Sequence, residues 1–426
     1  MTEPPPSAAA RAADGADALA AFRERFRLPL APDGERAVYL CGNSLGPMPV
    51  AAAERVAEVL ELWATLAVRG HHSGPAPWMH YHAQFAAPLA RLVGAAPGEV
   101  VAMNTLTVNL NLLLVSFYRP TRARHRILIE RPAFPSDRYA VVSQLRFHGY
   151  APEEALLEVG ARPGEELLRT EDIVAAIERA GATLALVLLP GVQYLTGQVL
   201  DVEAITRAAR RQGALVGWDL AHAIGNVPVA LHDAGADFAV WCHYKYLCGG
   251  PGAAAGAFVH ERHGRDAGLP RFAGWWGHDA ATRFAMGPDF VPMAGAEGWQ
   301  QSNPPVLALA PLAAALAEFD AAGLGRLRAK SLALTAFARQ LIAARLAGRI
   351  AIITPAADAE RGCQLSLRVA GGPEPGRRAF AALTAHGVIG DWREPDVIRL
   401  APAPLYNTFA EVERAVALLG QALGAP

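Results

Sequence analysis

Lysine is almost absent from this chain. Of 426 residues, 39 are lysine or arginine, and only Lys245 and Lys330 are lysines. Cysteine is scarce as well. Cys41, Cys242, Cys248 and Cys363 are scattered with no C-x-x-C pair, which argues against a disulfide framework or a zinc knuckle. No apolar run of about 18 residues is free of charges and turn residues, so no membrane span is expected. The start, "MTEPPPSAAARAADGADALAAF", lacks the basic and apolar regions of a signal peptide. A net charge of −1 offers no basic face for nucleic acid. The expected setting is the reducing cytoplasm, without nucleic-acid or membrane partners.

Apolar residues are abundant, at 52%, and the 19% that are charged leave room for a sizeable core. The pattern divides the chain into a disordered leader (1–16), an N-terminal segment packing with a small domain (17–60), a large α/β domain (61–322) and a small α+β C-terminal domain (323–426). Residues 50–69 and 79–94 read as helices. "HRILIE", "TLALVLLP", "ALVGWD", "DFAVWC" and "AGAFVH" are short apolar strands. The segments "RTEDIVAAIERAG" and "DVEAITRAARRQG" are helices closed by glycine. Such alternation predicts a mainly parallel sheet covered by helices. After residue 325, "GRIAIITP", "GCQLSLRVA" and "DVIRLAP" read as strands, with helices over 375–386 and 409–423.

The chemistry gathers where strands end. Asp219 closes one strand, with His222 just beyond. Tyr244 and Lys245 follow another in "CHYKYLCGGPG", and Phe134 and Asp137 follow a third. Singly, each has an ordinary reading: a helix cap, a core histidine, a packing aromatic. Together they match the needs of pyridoxal 5′-phosphate. That cofactor requires a lysine amine, a carboxylate for its ring nitrogen, a flat side chain over the ring and donors for its phosphate. Lys245, Asp219 and Phe134 meet the first three. Thr105, Leu106 and Thr107, where a helix opens, suit the phosphate. A guanidinium stays charged and is no amine nucleophile, so arginine cannot replace Lys245. Lys330, in "LGRLRAKSLALTAF", reads as an exposed helix position without a role.

Long stretches resemble the kynureninase family, pyridoxal-phosphate enzymes of fold type I (aspartate aminotransferase-like). They are "YLCGNSLGPMP", "MNTLTVNLNLLLVSFYRPT", "ERPAFPSDRYAVVSQLRFHGY", "GWDLAHAIGNVPVALHDAGADFAVWCHYKYL", "GWWGHDAATRFAM", "SNPP", "ERGCQLSL" and "IRLAPAPLYNTF". They run from about residue 38 to 410 and cover nearly the whole chain. The resemblance implies hydrolysis of L-kynurenine, or its 3-hydroxy form, to anthranilate (or 3-hydroxyanthranilate) and L-alanine, by a homodimer with shared active sites. It makes Lys245 the Schiff-base lysine and proton shuttle. Asp219 pairs with the ring nitrogen, and Tyr244, beside Lys245, is a candidate for proton transfer. Cofactor contacts fall to Leu106, Thr107, Phe134, Ser136, Asp137, His222, Tyr244 and Trp275, with Asn303 reaching in from a second subunit. Substrate contacts fall to Asn43, Ser44, His71, Trp276 and Asn303, and Arg399 clamps the α-carboxylate. Cys41, His243 and the run "CGGPG" depart from the usual pattern without touching a residue of named chemical role.

Three rival readings remain on the sequence. A cysteine desulfurase or selenocysteine lyase of the same fold needs a mobile thiolate, whereas Cys363 and Cys242 sit in apolar strands. Metal binding through His71, His72, His80 and His82 lacks a compact ligand spacing, and no metal is assigned. A cofactor-free binding module would be colourless when purified.

Overall fold

The computed structural model describes residues 5–424. Its large sheet has seven strands: β1 (Val100–Met103), β2 (Arg126–Arg131), β3 (Leu156–Gly160), β4 (Leu184–Pro190), β5 (Leu215–Asp219), β6 (Phe238–Cys242) and β7 (Ala255–Val259). The spatial order is β1-β7-β6-β5-β4-β2-β3. Strands β2 to β6 run parallel, and β7 is antiparallel to both β6 and β1. Helices cover both faces, so the central strands read as unbroken apolar runs. Within β6, Phe238 and Val240 enter one core while Ala239 and Trp241 enter the other. That is the two-residue period of a strand serving two layers.

The principal helices are α1 (Ala8–Gly15), α2 (Ala52–Leu66), α3 (Leu106–Phe117), α4 (Pro135–Phe147), α5 (Thr170–Ala180), α6 (Val202–Arg211), α7 (Val306–Ala322), α8 (Leu324–Arg345), α9 (Pro373–Ala385) and α10 (Phe409–Ala422). α7 and α8 meet at an 83° bend. Gly323 makes that turn at a φ of 76°, where a side chain would be strained. Among the described residues, no single helix is long and apolar enough to cross a bilayer. The small sheet comprises β8 (Ile350–Ile352), β9 (Leu365–Val369), β10 (Asp391–Arg393) and β11 (Val397–Leu400), in the antiparallel order β8-β9-β11-β10. The segment Val38–Tyr39 pairs in parallel with Val388–Ile389 and ties the N-terminal region to this domain.

The structure corrects several expectations. Over the described part of the expected disordered leader, residues 8–15 are helical; residues 1–4 lie outside the described residues. Ser7 caps α1 by accepting from Ala10 N–H. Ala10 is wholly buried in the small-domain core. The Asp14 carboxylate accepts the Phe409 and Ala410 N–H groups at 2.7 and 3.1 Å, capping α10. An alanine-rich segment reads as featureless, yet it is a good helix once one face is buried. The single helix expected over 79–94 is a 3₁₀ stretch, Trp78–Phe85, broken at His80 and followed by an α-helix over Ala86–Val93. Lys330 is buried rather than exposed, with Nζ 2.7 Å from Asp17 Oδ2.

Candidate active site

The carboxyl ends of β2, β4, β5 and β6, with the opening turn of α3, surround one cavity. Asn104, at a φ of 46°, turns the chain from β1 into α3. Its side chain donates to Asn109, which in turn donates to the Met103 carbonyl. Thr105 stands at the N-cap of α3 without a side-chain cap. α4 starts likewise at Phe134 and Pro135. The two helix starts converge, and the Thr107 and Ser136 hydroxyls meet at 2.8 Å. Two N-termini with paired hydroxyls form a cradle for a phosphate dianion.

Across the cavity, Asp219 Oδ1 accepts the Ala221 N–H at 2.6 Å. Lys245 Nζ lies 3.0 Å from His222 Nε2 and 5.7 Å from the Phe134 ring centre. Burial holds His222 well below the ordinary histidine range, assisted by the Lys245 charge. The imidazole is therefore neutral and accepts from Lys245, while its Nδ1 has no partner among the described residues. Asp137 is buried with an unpartnered Oδ1. Burial, and then the charge of Asp219, push Asp137 well above the carboxylate range. Burial also raises Asp219, but Asp137, the Ala221 N–H and Lys245 oppose it. The balance of these causes favours the proton on Asp137 over Asp219. Glu130 completes an acidic trio, pushed up to about 8 by burial. Tyr244, raised by burial, keeps its phenolic proton. Phosphate cradle, ionised carboxylate, aromatic face and amine together fit pyridoxal phosphate, with Asp137 Oδ1 and His222 Nδ1 as spare polar atoms.

The N-terminal segment closes one side. Gly46 N–H donates to the Tyr244 carbonyl at 2.8 Å. A Cβ on Gly46 would stand 2.4 Å from the Lys245 carbonyl oxygen, so this approach demands glycine. That contact docks the loop carrying Asn43 and Ser44 beside the lysine. Asn43 is buried and donates to Gln364 Oε1 at 3.1 Å, with its own Oδ1 unpartnered. Arg399 is fully buried on β11 and donates from Nη1 to the Tyr194 carbonyl at 2.6 Å.

Four expected site residues stand elsewhere in this chain. His71 and Asn303 share a shallow hollow with Trp63 and Trp78. The half-exposed Trp275 donates its indole N–H to the Arg283 carbonyl. Trp276, expected to line the aryl pocket, is instead sealed inside its own chain beneath the Arg283 guanidinium. Sequence reasoning missed Glu130 and Tyr194, which line the cavity, and Asp391, which pairs with Arg399. Strand-end position could have flagged Glu130, since charged residues are rare at buried strand ends. Of the departures, His243 is buried, accepts the Trp241 indole N–H and is pushed down to about 3 by burial. It is a neutral core residue.

Outside the cavity, Glu99, His232 and His260 cluster. The two imidazoles are stacked 4.9 Å apart at 19°. Glu99 already accepts from Ala96, Glu261 and His232. The cluster pins the starts of β1 and of the Glu261–Gly264 turn of helix.

Comparison with known proteins agrees with this geometry. Residues 38–262 match the aminotransferase class-V family model, and residues 327–419 match the kynureninase C-terminal domain. A kynureninase of Stenotrophomonas maltophilia is 58% identical over 405 residues, 95% of each chain. One from Xanthomonas euvesicatoria is 58% identical over 412 residues, 97% of each. Among solved structures, the cysteine desulfurase CsdA of Escherichia coli superposes with a TM-score of 0.76 at 18% identity, covering 95% of this chain and 98% of that one. A cysteine desulfurase of Thermococcus onnurineus gives 0.74 at 18%, covering 91% and 95%. These two likenesses speak for the fold. The identity to the bacterial enzymes over almost the whole length decides the membership: the chain belongs to the kynureninase family.

Proposed function

We propose that this protein hydrolyses the Cβ–Cγ bond of L-kynurenine, or of its 3-hydroxy form, releasing anthranilate (or 3-hydroxyanthranilate) and L-alanine. The observation that carries the reading is Lys245 facing Phe134 and His222 in the cavity that also holds the Asp219–Asp137 pair. Asp219, Phe134, Thr107 and Ser136 would hold pyridoxal phosphate there, and it would supply an electron sink for charge developing on the substrate. Lys245 Nζ is the base and acid at Cα, within hydrogen-bond reach of neutral His222. Asp219 would pair with the cofactor's ring nitrogen and favour its protonated form. Tyr244, still protonated and next in sequence to Lys245, is the proton donor to Cβ, which stays with the alanine part when the aryl acid leaves. Arg399 takes the α-carboxylate.

A homodimer is part of this proposal, and the surface supports it. Phe272, Trp275, Phe284, Met286 and Val291 are exposed along one irregular segment, and single solvated loops rarely expose so much aromatic area. His71, Trp275 and Asn303 then serve the partner's cavity. The thiol-based reading is disfavoured by burial. Cys363 is pushed up to about 12 and Cys41 to about 11, so neither presents a thiolate at neutral pH.

The test is an assay of the purified, yellow protein with both substrates, following loss of the aryl ketone and release of alanine. Borohydride reduction should fix the cofactor on a peptide containing Lys245, and Lys245→Arg should be inactive. Labelling at Lys330, or no alanine from either substrate, refutes the reading.

A further inference from the structure

Arg399 is presented by a device that the family comparison does not describe. On the antiparallel ladder, Asp391 of β10 lies directly opposite Arg399 of β11. Its Oδ2 is 2.6 Å from Arg399 Nη2, and its Oδ1 is 2.9 Å from Arg393 Nε. The far side of the guanidinium is fixed by the domain opposite, where Nη1 donates to the Tyr194 carbonyl. The same carbonyl accepts from Gln364 Nε2 at 3.1 Å. Each Nη nitrogen is held by one acceptor and keeps a second hydrogen, while Nε–H is buried without an acceptor among the described residues. An orphaned guanidinium N–H in a dry site costs free energy unless a ligand takes it. The charge count agrees. Two guanidinium groups share one carboxylate, so the trio carries one positive charge in excess, the complement of one substrate carboxylate.

We propose that Asp391 is a positioning residue for substrate recognition: clamped between Arg393 and Arg399, it sets the Arg399 fork so that the free Nε–H edge meets the α-carboxylate of the amino-acid substrate. The inference rests on the proposed assignment of Arg399 as the carboxylate clamp. Without Asp391, the guanidinium keeps its charge and loses its orientation. A fixed fork distinguishes a carboxylate, with two oxygens in the right plane, from a carboxamide, with one. A loose one distinguishes them poorly.

The experiment measures that discrimination at equilibrium. L-alanine and L-alaninamide are titrated into the cofactor-loaded enzyme by the change in cofactor absorption, for wild type, Asp391→Asn and Asp391→Glu. Cofactor content and melting temperature are recorded for each. In wild type, alanine should bind more tightly than the amide. In Asp391→Asn that preference should fall by about tenfold or more. Asp391→Glu retains the charge one methylene out of place and should keep an intermediate preference. Should Asp391→Asn fail to fold, the glutamate variant decides alone, with a loss of about threefold or more expected. A preference that is unchanged or larger in a folded variant overturns the role of Asp391. Absence of any preference in wild type overturns the Arg399 assignment as well, and alanine release from kynurenine in the same preparation shows whether the reaction itself still stands.

Discussion

Replacing Asp219 by asparagine should separate two neighbouring carboxyl groups that look equivalent in sequence. Asparagine keeps the acceptor for the Ala221 N–H, now at 2.6 Å. What it loses is the negative charge on the oxygen facing the cavity. Breaking one partner of a buried charged pair costs about 3–5 kcal/mol. At about 1.36 kcal/mol per tenfold, that is a loss of roughly 150- to 5,000-fold in kcat/KM. Asp137 differs because burial and the Asp219 charge favour its protonated form. Asp137→Asn exchanges one neutral group for another of the same shape. The expected cost is about 1 kcal/mol, within roughly fivefold. Both variants are to be compared by kcat/KM for alanine release, at equal cofactor occupancy read from absorbance. An active Asp219→Asn with a dead Asp137→Asn would show that the ionised member has been assigned to the wrong residue.

Mixing two inactive variants, Lys245→Ala and Asn303→Ala, should restore about a quarter of wild-type activity after subunit exchange, because half the dimers are hybrids with one intact site each; no recovery despite proven exchange would place Asn303 at its own chain's cavity. Glu130 should make the apoenzyme less stable as pH rises. Its carboxyl is raised from 4.5 to about 8, so its contribution is complete below pH 4.5 and lost as pH climbs through 8. Between pH 6 and 9 the melting temperature of wild type should therefore fall further than that of Glu130→Gln, and equal slopes would count against a protonated Glu130. Lys330→Met should lower stability by about 3 kcal/mol in urea unfolding, since it strands Asp17 in a buried site, and should leave turnover per folded enzyme unchanged.

The central sheet was legible because its strands are buried on both faces. "TLALVLLP" and "DFAVWC" show no alternation and are bounded by polar residues, so length and composition alone identify them. β1 and β3 are not legible, for local reasons. β1 is only the four residues Val100–Met103 and follows a 3₁₀ turn without a break in composition. β3 emerges directly from the short helix Pro152–Ala155, and its glutamate-containing "LLEVG" resembles a continuing helix. The site was legible wherever chemistry fixes residue type at a strand end, as at Asp219 and Lys245. It was not legible where a role arises from register or from the backbone. Asp391 faces Arg399 only because β10 and β11 pair in one register, and Tyr194 contributes a carbonyl that every residue possesses. No pattern in the sequence announces either.

The scarcity of lysine carries a related lesson. It marks two positions, and both resist arginine, but for different reasons. In the proposed reaction Lys245 must be an amine that can give up its proton and form a covalent bond, a demand of chemistry. Lys330 is as buried as Asp17, its one ion-pair partner among the described residues, with side-chain exposures of 7% and 6%. A guanidinium there would bring five N–H donors into a pocket whose one recorded ion-pair acceptor is Asp17, leaving donors unmet. A compact ammonium fits, a demand of packing. Rarity in composition therefore signals that a residue is constrained. Only the surroundings, a cavity of converging carboxyl groups in one case and a single buried aspartate in the other, tell whether the constraint is catalytic.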